Sequence, residues 1–430
     1  MDTSRTVYLD HAATTPTDPR VVVAMAPYFT EEYGNPSSLY AAGRRAKRAL
    51  DEARAGIARV LVCAPEELLF TASGTESDNM AVLGVARAYA GRGKHLVTTA
   101  IEHHAVLNPV EHLAKHEGFS ATVLPVDEDG RVTPEQVVAS LREDTVLVSV
   151  MYANNEIGTI QPIAAIARAI HQWKEAHGRK RADAPFLHTD ACQATGFLDL
   201  DVQRLGVDLL TINGSKCYGP KGIGVLFKRR GVKLEPLVFG GGQEQRLRSG
   251  TENVAGAVGF AAALAIAAEE REAECTRLTE LRDWFINEIQ ARVPKIVLNG
   301  HPTERLPNNI NVSVLDIEGE AMLLYLDAHG IAAATGSACD SQTLDPSHVI
   351  LAIGRPYEYA HASIRFTMGR QTTREDLAYV LDQLPPITER LRAISPVRLE
   401  MHAKKTIGSG ASSETAKALL GQRPHWETKQ

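Results

Sequence analysis

Short strand-like segments and longer helix-like segments alternate from Leu68 to Phe227, and this alternation constrains the fold more than any other feature of the chain. The strand candidates are LLFTA, KHLVTTA, ATVLPV, TVLVSVMY, FLHTDA, LLTIN and GVLFK. One intervening helix has a clear start, because Thr133-Pro134-Glu135-Gln136 offers an N-cap hydroxyl, a proline at the first helical position and a glutamine at the third. Alternation of this kind is typical of βαβ units, so we predict an α/β fold with a mainly parallel sheet.

The rest of the chain predicts a second, smaller α+β domain. A long helical segment from about Glu252 to Val293 leads out of the alternating region, and the strand candidates NNINVSVLD, IAAATGSA and SIRFTMG follow. Helices are expected from Glu318 and from Thr373, and Thr372 with Glu375 forms a candidate capping box for the latter. The predicted divisions are a large domain at 16–262, a small domain at 1–15 with 263–397, and a polar tail at 398–430 that is expected to be mobile.

Composition excludes several classes of function. The formal net charge of −6 argues against nucleic acid as a main partner, because phosphate binding needs a basic surface. The most apolar stretch, Val254 to Ala268, is shorter than the roughly 20 residues of a membrane helix, so no membrane partner is expected. The 5 cysteines contain no C-x-x-C pair, which predicts neither a metal site nor a disulfide framework. A reducing cytoplasm fits this pattern best.

Two of the predicted strands end in polar residues within one stretch, Phe186 to Gly224. The first leads into Asp190 and Gln193, and the second leads into Asn213 and Lys216. Ligands of α/β sheets sit at the carboxyl ends of strands, so these side chains are expected to converge. An acid, an amide and a lysine suit a cofactor with a protonated ring nitrogen and an aldehyde, which is pyridoxal 5′-phosphate. Taken singly, the acid is more typical of a cap and the lysine of a solvated surface.

A phosphate site is predicted where the strand LLFTA runs into Ser73-Gly74-Thr75-Glu76. Glycine lets the backbone approach an anion, and the helix expected from about Ser77 would offer free N–H groups at its N-terminus. An ordinary capped helix is the alternative. The motif is not a P-loop, because no G-x4-G-K-[ST] occurs in the chain.

Four further residues are candidates because of the polar chemistry they bring to strands or their ends. His103 follows KHLVTTA, where an imidazole could lie over a planar ring and shuttle protons. Asn155 follows TVLVSVMY and either bonds a phenolic oxygen or caps a loop. Arg365 lies within an apolar strand and must find an anion, for which a substrate carboxylate is a natural choice. Cys339 lies in a small Gly/Ser-containing connection, which favours a reactive thiolate over a core cysteine.

Ordered blocks along nearly the whole chain resemble the cysteine desulfurases of the NifS/IscS-like group, within the class V aminotransferase family. The resemblance extends from Tyr8 to about Pro396. The blocks that carry it are YLDHAATTP, GNPSS, GTESDN, NNEIG, KCYGPKG, GGG, RSGT, GSAC and SIRF. It implies the fold type I of the pyridoxal phosphate-dependent transferases, with a large domain on a mainly parallel mixed sheet and a smaller α+β domain.

The resemblance implies roles around the cofactor ring. Lys216 would hold the cofactor aldehyde and then act as the base at the substrate Cα. Asp190 would keep the pyridine nitrogen protonated, and His103 would stack on the ring. Gln193 and Asn155 would bond the phenolic oxygen and the substrate side.

The resemblance also implies a phosphate site that two subunits share. The residues assigned to this site are Gly74, Thr75, Asn213, Ser215 and Thr251. Thr251 is similar to a residue that reaches the phosphate of the neighbouring subunit, which implies a homodimer. Ser215 stands where many relatives carry His, and Asn213 stands where Ser is common, although both can still donate hydrogen bonds.

The implied reaction is the conversion of L-cysteine into L-alanine. Arg365 would clamp the substrate carboxylate, and Cys339 would attack the substrate sulfur and keep it as a persulfide. Sulfur-acceptor proteins, either an iron–sulfur scaffold or a tRNA-thiolation relay, are the implied partners. The alternatives are a selenocysteine lyase, another class V aminotransferase, or a weakly active sulfur-relay subunit. The thiol argues against a transaminase, and the presence of Lys216 argues against an inactive relay.

Overall fold

The computed structural model describes residues 5–336, 346–396 and 399. Its strands are β1 Val7–Tyr8, β2 Leu68–Thr71, β3 His95–Thr99, β4 Ser120–Leu124, β5 Thr145–Ser149, β6 Phe186–Asp190, β7 Leu209–Asn213, β8 Gly224–Lys228, β9 Ile296–Leu298, β10 Asn309–Val314, β11 Ile331–Ala332 and β12 Ser363–Thr367. Its α-helices are α1 Pro19–Met25, α2 Pro27–Thr30, α3 Ala41–Leu61, α4 Gly74–Ala88, α5 His104–His116, α6 Pro134–Ser140, α7 Ile163–Ala176, α8 Val202–Leu205, α9 Val254–Arg292, α10 Gly319–Asp327, α11 His348–Ala352, α12 Tyr357–His361 and α13 Arg374–Ile394. Short 3₁₀ helices span Pro65–Glu67, Gly214–Lys216 and Glu244–Arg246.

The central sheet contains 7 strands in the order β2-β8-β7-β6-β5-β3-β4. Strands β3 to β7 run parallel to one another, whereas β8 is antiparallel to both β7 and β2. The predicted α/β fold with a mainly parallel mixed sheet is therefore confirmed. Because β3, β5, β6 and β7 point the same way, the residues that follow them emerge at one edge of the sheet.

A second, antiparallel sheet of 3 strands has the order β12-β10-β9. The helices α9, α10 and α13 pack around it, with Phe285, Ile310, Phe366 and Leu381 in its buried cluster. The division at 16–262 and 263–397 stays a prediction. Among the described residues, no helix combines the length and the apolar character that crossing a bilayer requires.

Helix starts confirm some of the local predictions and correct others. Thr133 Oγ1 accepts the Gln136 N–H at 3.2 Å, as the predicted capping box requires. The other box is one residue later than predicted, because Thr373 pairs with Asp376. Helix α4 begins at Gly74 rather than near Ser77, since Ser73 provides its N-cap.

Candidate active site

Lys216 and the residues after β6 meet at the N-terminal segment of the chain. Lys216 Nζ donates to the carbonyl oxygens of Ala12 at 2.7 Å and Ala13 at 2.6 Å. Gln193 Nε2 donates to the same Ala12 oxygen at 2.9 Å. Residues after two neighbouring parallel strands thus converge on one peptide, as their strand ends predicted.

The turn that carries Lys216 is held in place by close backbone packing. A Cβ at Gly214 would lie 2.7 Å from the Pro220 carbonyl oxygen, so only glycine fits there without a shift. Thr15 completes the attachment, because its N–H donates to the Ser215 carbonyl oxygen at 2.9 Å and its Oγ1 accepts the Tyr218 N–H at 2.8 Å. The N-terminal segment and the lysine turn therefore form one unit.

Asp190 ends β6 and is buried, with 7% of its surface exposed. Its Oδ1 accepts the Cys192 N–H at 2.9 Å, which orients the carboxylate. A carboxylate in this position is suited to a hydrogen bond from a protonated heterocycle, because burial strengthens a charge-assisted bond.

Beneath Asp190 lies a buried polar cluster that sequence reasoning missed. His188 Nδ1 is 2.8 Å from Ser149 Oγ, and its Nε2 is 3.1 Å from Thr211 Oγ1 and 3.5 Å from Asp78 Oδ1. Burial lowers the pKa of His188 to about 4, so the imidazole is neutral. Burial, with the nearby Asp190 charge, raises the pKa of Asp78 well above its ordinary value. The signal in the sequence was the pair of polar residues inside the strand FLHTD.

The predicted phosphate residues gather at the start of α4. A Cβ at Gly74 would lie 2.7 Å from Cys192 Sγ and 2.9 Å from Asn213 Nδ2, so a larger residue there would displace those side chains. Ser215 Oγ donates to Asn213 Oδ1 at 2.9 Å, so the two residues at this end of β7 act as a pair. Thr75 is exposed in the first turn of α4, where unpaired backbone N–H groups attract anions.

Arg365 lies in the middle of β12 and is 1% exposed. Its guanidinium donates to Asp10 Oδ1 at 2.7 Å and to the Asn155 carbonyl oxygen at 3.0 Å. Its Nε has no hydrogen-bond partner among the described residues. Asp10 is 3 residues before Ala13 in the chain, so one short segment holds both the guanidinium and the Lys216 ammonium.

The remaining predicted site residues are His103, Asn155, Thr251 and Cys339. His103 caps α5, and its Nδ1 accepts the Ala105 N–H at 3.0 Å, which leaves Nε2 as the nitrogen that carries the proton of a neutral ring. Asn155 contacts Arg365 through its backbone. Thr251 is exposed, before α9. Cys339 lies outside the described residues.

The site as a whole fits a planar cofactor that carries a phosphate. Gly74, at a helix N-terminus, marks the end suited to an anion. The carboxylate of Asp190 lies at the end suited to a protonated ring nitrogen. Lys216 supplies the amine, and Arg365 Nε, which has no partner in the part of the chain that the structure describes, supplies a donor for a substrate carboxylate. Among the described residues no cluster of three His, Cys, Asp or Glu side chains could hold a metal ion.

Comparison with known proteins agrees with this geometry. The family model described as aminotransferase class-V matches residues 7–380. A cysteine desulfurase IscS of Dictyoglomus turgidum is 49% identical over 93% of this chain and 99% of its own length. A cysteine desulfurase IscS of Methanosarcina thermophila is 47% identical over 92% of this chain and 95% of its own length.

Solved structures give the same result. A NifS-like protein superposes with a TM-score of 0.83 at 35% identity, over 90% of this chain and 100% of that one. A structure of SspA in complex with cysteine has a TM-score of 0.72 at 33% identity, over 84% of this chain and 99% of that one. The chain therefore belongs to the class V aminotransferase family. Within it the similarity is to the NifS/IscS-like cysteine desulfurases, which confirms the resemblance seen in the sequence.

Proposed function

We propose that this protein is a pyridoxal 5′-phosphate-dependent cysteine desulfurase. It converts L-cysteine into L-alanine while the thiol of Cys339 becomes a persulfide. In this step the Cβ–S bond of the substrate breaks and a S–S bond forms on Cys339, so one sulfur atom moves and no external oxidant is required. The observation that carries the proposal is that the segment from Asp10 to Ala13 binds both Arg365 and Lys216, and that Gln193, three residues after Asp190, donates to the same segment.

The residues present fit the cofactor. When bound, pyridoxal phosphate supplies an aldehyde that takes up the substrate amine and a ring that withdraws electrons from the substrate Cα. Asp190 would hold the proton on the ring nitrogen, and Gly74, which has no side chain, would lie at the phosphate end beside Cys192 and Asn213. Thr75 and Asn213 would donate hydrogen bonds to that phosphate, and Ser215 would do so by exchanging its bond to Asn213 Oδ1.

The chain's own groups bind the substrate and move its protons. Arg365 Nε and its neighbouring N–H groups bind the cysteine carboxylate, and Asp10 keeps the guanidinium oriented. Lys216 Nζ takes the proton from the substrate Cα and returns a proton to the alanine product. Gln193 and Asn155 would orient the ring and the substrate, and His103 would stack on the ring and exchange protons through Nε2.

We infer that the working unit is a homodimer. Several large apolar side chains between α2 and α3 are exposed, including Tyr33 at 76% and Leu39 at 89%. Large apolar side chains exposed within one short connection are a feature that an interface with a second copy would cover. Thr251 is exposed as well, which leaves its hydroxyl able to reach the phosphate site of a second copy.

The sulfur acceptor is proposed to be a protein of iron–sulfur cluster assembly or of tRNA thiolation, and the persulfide on Cys339 is the donor. Nucleic acid itself is not a proposed ligand, in keeping with the net charge of −6.

The cytoplasm is the proposed location. The unpaired thiols of the described cysteines Cys63, Cys192, Cys217 and Cys275 support a reducing compartment.

The proposal is tested by incubating the cofactor-loaded protein with L-cysteine and quantifying alanine. Cys339→Ala is the matched variant, because it removes the acceptor thiol and leaves Lys216 and Asp190 in place. Alanine from the wild type and none from the variant is the expected result. A keto acid in place of alanine would support the aminotransferase alternative. A strong preference for L-selenocysteine, retained in Cys339→Ala, would support the selenocysteine lyase.

A further inference from the structure

A buried carboxylate, Glu156, lies between Gly336, which directly precedes residues 337–345, and Ser347, two residues after them. Glu156 is 1% exposed, and its Oε2 accepts a hydrogen bond from Ser347 Oγ at 2.5 Å. On the other flank, a Cβ at Gly336 would lie 3.3 Å from the same Oε2 and 3.3 Å from the Ser347 Cβ. Gly336, Glu156 and Ser347 are therefore packed against one another.

The C-terminal flank is fixed from two further directions. Ser347 Oγ accepts the Ile350 N–H at 3.2 Å and so caps α11. Val349 and Ile350 of that helix are buried in the cluster that covers the central sheet. His348 Nε2 donates to the Glu102 carbonyl oxygen at 3.0 Å, next to His103 of the site. Ser347 therefore has one defined position relative to the sheet.

Glu156 is attached in turn to the substrate side of the site. Its N–H donates to Asn154 Oδ1 at 2.8 Å, and its carbonyl oxygen accepts from Asn311 Nδ2 at 3.3 Å. The carbonyl oxygen of the preceding residue, Asn155, accepts a hydrogen bond from the Arg365 guanidinium. One short turn thus contacts both the proposed carboxylate clamp and the flanks of the segment that contains Cys339.

The contact of Gly336 with Glu156 affects the Cys339 thiol because Gly336 and Cys339 are close in the chain. Cys339 follows Gly336 by 3 residues. Because an extended residue spans at most about 3.6 Å, three residues of chain reach at most about 11 Å from Gly336, wherever they lead. The position of Gly336 consequently limits where the thiol can meet the substrate sulfur.

We propose that Glu156 is a positioning residue for the sulfur-transfer step. It acts through Gly336 and Ser347, holding both flanks of segment 337–345 at a set distance from Arg365, and it does not contact the substrate. This inference rests on the proposed desulfurase function. A displacement of about 1 Å between reacting groups can slow a step by about two orders of magnitude, so a loose anchor would slow sulfur transfer without weakening substrate binding.

The test compares variants of the cofactor-loaded, full-length protein. Ser347→Ala removes the hydroxyl that bonds Glu156, Ser347→Thr keeps it, and Glu156→Gln weakens the acceptor. Thr133→Ala is the matched control, because it also deletes an N-cap bond of 3.2 Å, at α6. The readouts are kcat and KM for L-cysteine and the single-turnover rate of persulfide formation on Cys339 by mass spectrometry.

The expected result is a split between rate and binding. Ser347→Ala and Glu156→Gln should lower the persulfide rate by about tenfold or more with KM changed less than about twofold, while Ser347→Thr and Thr133→Ala stay near the wild type. Wild-type persulfide rates in Ser347→Ala would overturn the positioning role and leave the desulfurase function standing. Loss of cofactor binding, or a rise in KM that matches the fall in rate, would also overturn it. No alanine from the wild type would overturn the proposed function, and this inference with it.

Discussion

Glu102→Gln should remove a pH-dependent cost to the stability of the fold. Glu102 is fully buried, and its Oε1 accepts from Thr99 Oγ1 at 2.6 Å and from the Met151 N–H at 2.9 Å. Its Oε2 has no hydrogen-bond partner among the described residues. Burial, opposed by these two hydrogen bonds, raises the pKa of Glu102 to about 8. The carboxyl is therefore protonated in the folded protein under conditions where the unfolded chain would ionise it.

The sign of the effect follows from proton linkage. The folded state holds this proton more tightly than the unfolded chain, whose ordinary pKa is 4.5. The contribution to stability is therefore intact below 4.5 and is lost as the pH rises toward 8. One pKa unit corresponds to about 1.4 kcal/mol, so the free energy of unfolding should fall by about 3 kcal/mol between about pH 5 and about pH 8 through this group.

The variant keeps an acceptor oxygen for Thr99 and Met151 and cannot ionise. Its buried amide adds a pH-independent cost of about 1–3 kcal/mol, which does not alter the slope. Urea unfolding at about pH 5 and about pH 8 measures the change in the free energy of unfolding with pH for the wild type and for Glu102→Gln. Subtracting one change from the other removes the contribution of the other titrating groups. The exposed Glu31→Gln is the control. Parallel pH dependences for wild type and Glu102→Gln would refute the reasoning.

Three further substitutions test the site. Asp190→Asn should lower kcat for alanine formation by about 100-fold while the cofactor absorbance persists, because the ring nitrogen loses its charged partner; an unchanged kcat would contradict the assigned role. Arg365→Lys should raise KM for L-cysteine by about tenfold, since an ammonium lacks the planar fork that matches a carboxylate, and steady-state kinetics would detect it. Gly336→Ala should destabilise the protein by about 1 kcal/mol, because φ is +51° and the new Cβ would lie 3.3 Å from Glu156. Thermal unfolding measures this last effect, and an unaltered melting temperature would count against it.

Local pattern was sufficient to predict the main elements of the fold. Apolar runs of strand length, separated by helical segments, gave β2 to β8, and the parallel direction of β3, β5, β6 and β7 follows from the crossover helices between them. The site residues could be selected for the same reason, since polar residues directly after parallel strands share an edge. Lys216, Gln193 and Asp190 were found in this way.

Other features depend on residues far apart in the chain. The proximity of Asp78 to His188, and the ion pair of Arg365 with Asp10, join segments that no local pattern connects. The start of α4 and the capping box of α13 differ from the predicted ones because several neighbouring Ser, Thr and acidic residues can serve as caps, and the backbone geometry selects one of them. The role of Glu156 likewise became visible only when Gly336 and Ser347 were found beside it.

The sequence by itself determined the α/β class, the strand ends that carry the site, and the resemblance to the cysteine desulfurases. These depend on hydrophobic period and on motifs, which are properties of short stretches of chain. Only the tertiary structure decided which buried groups are neutral, which donors stay unpaired and which residues hold the flanks of the Cys339 segment. Those properties arise from desolvation and contact between distant residues, and neither exists until the chain has folded.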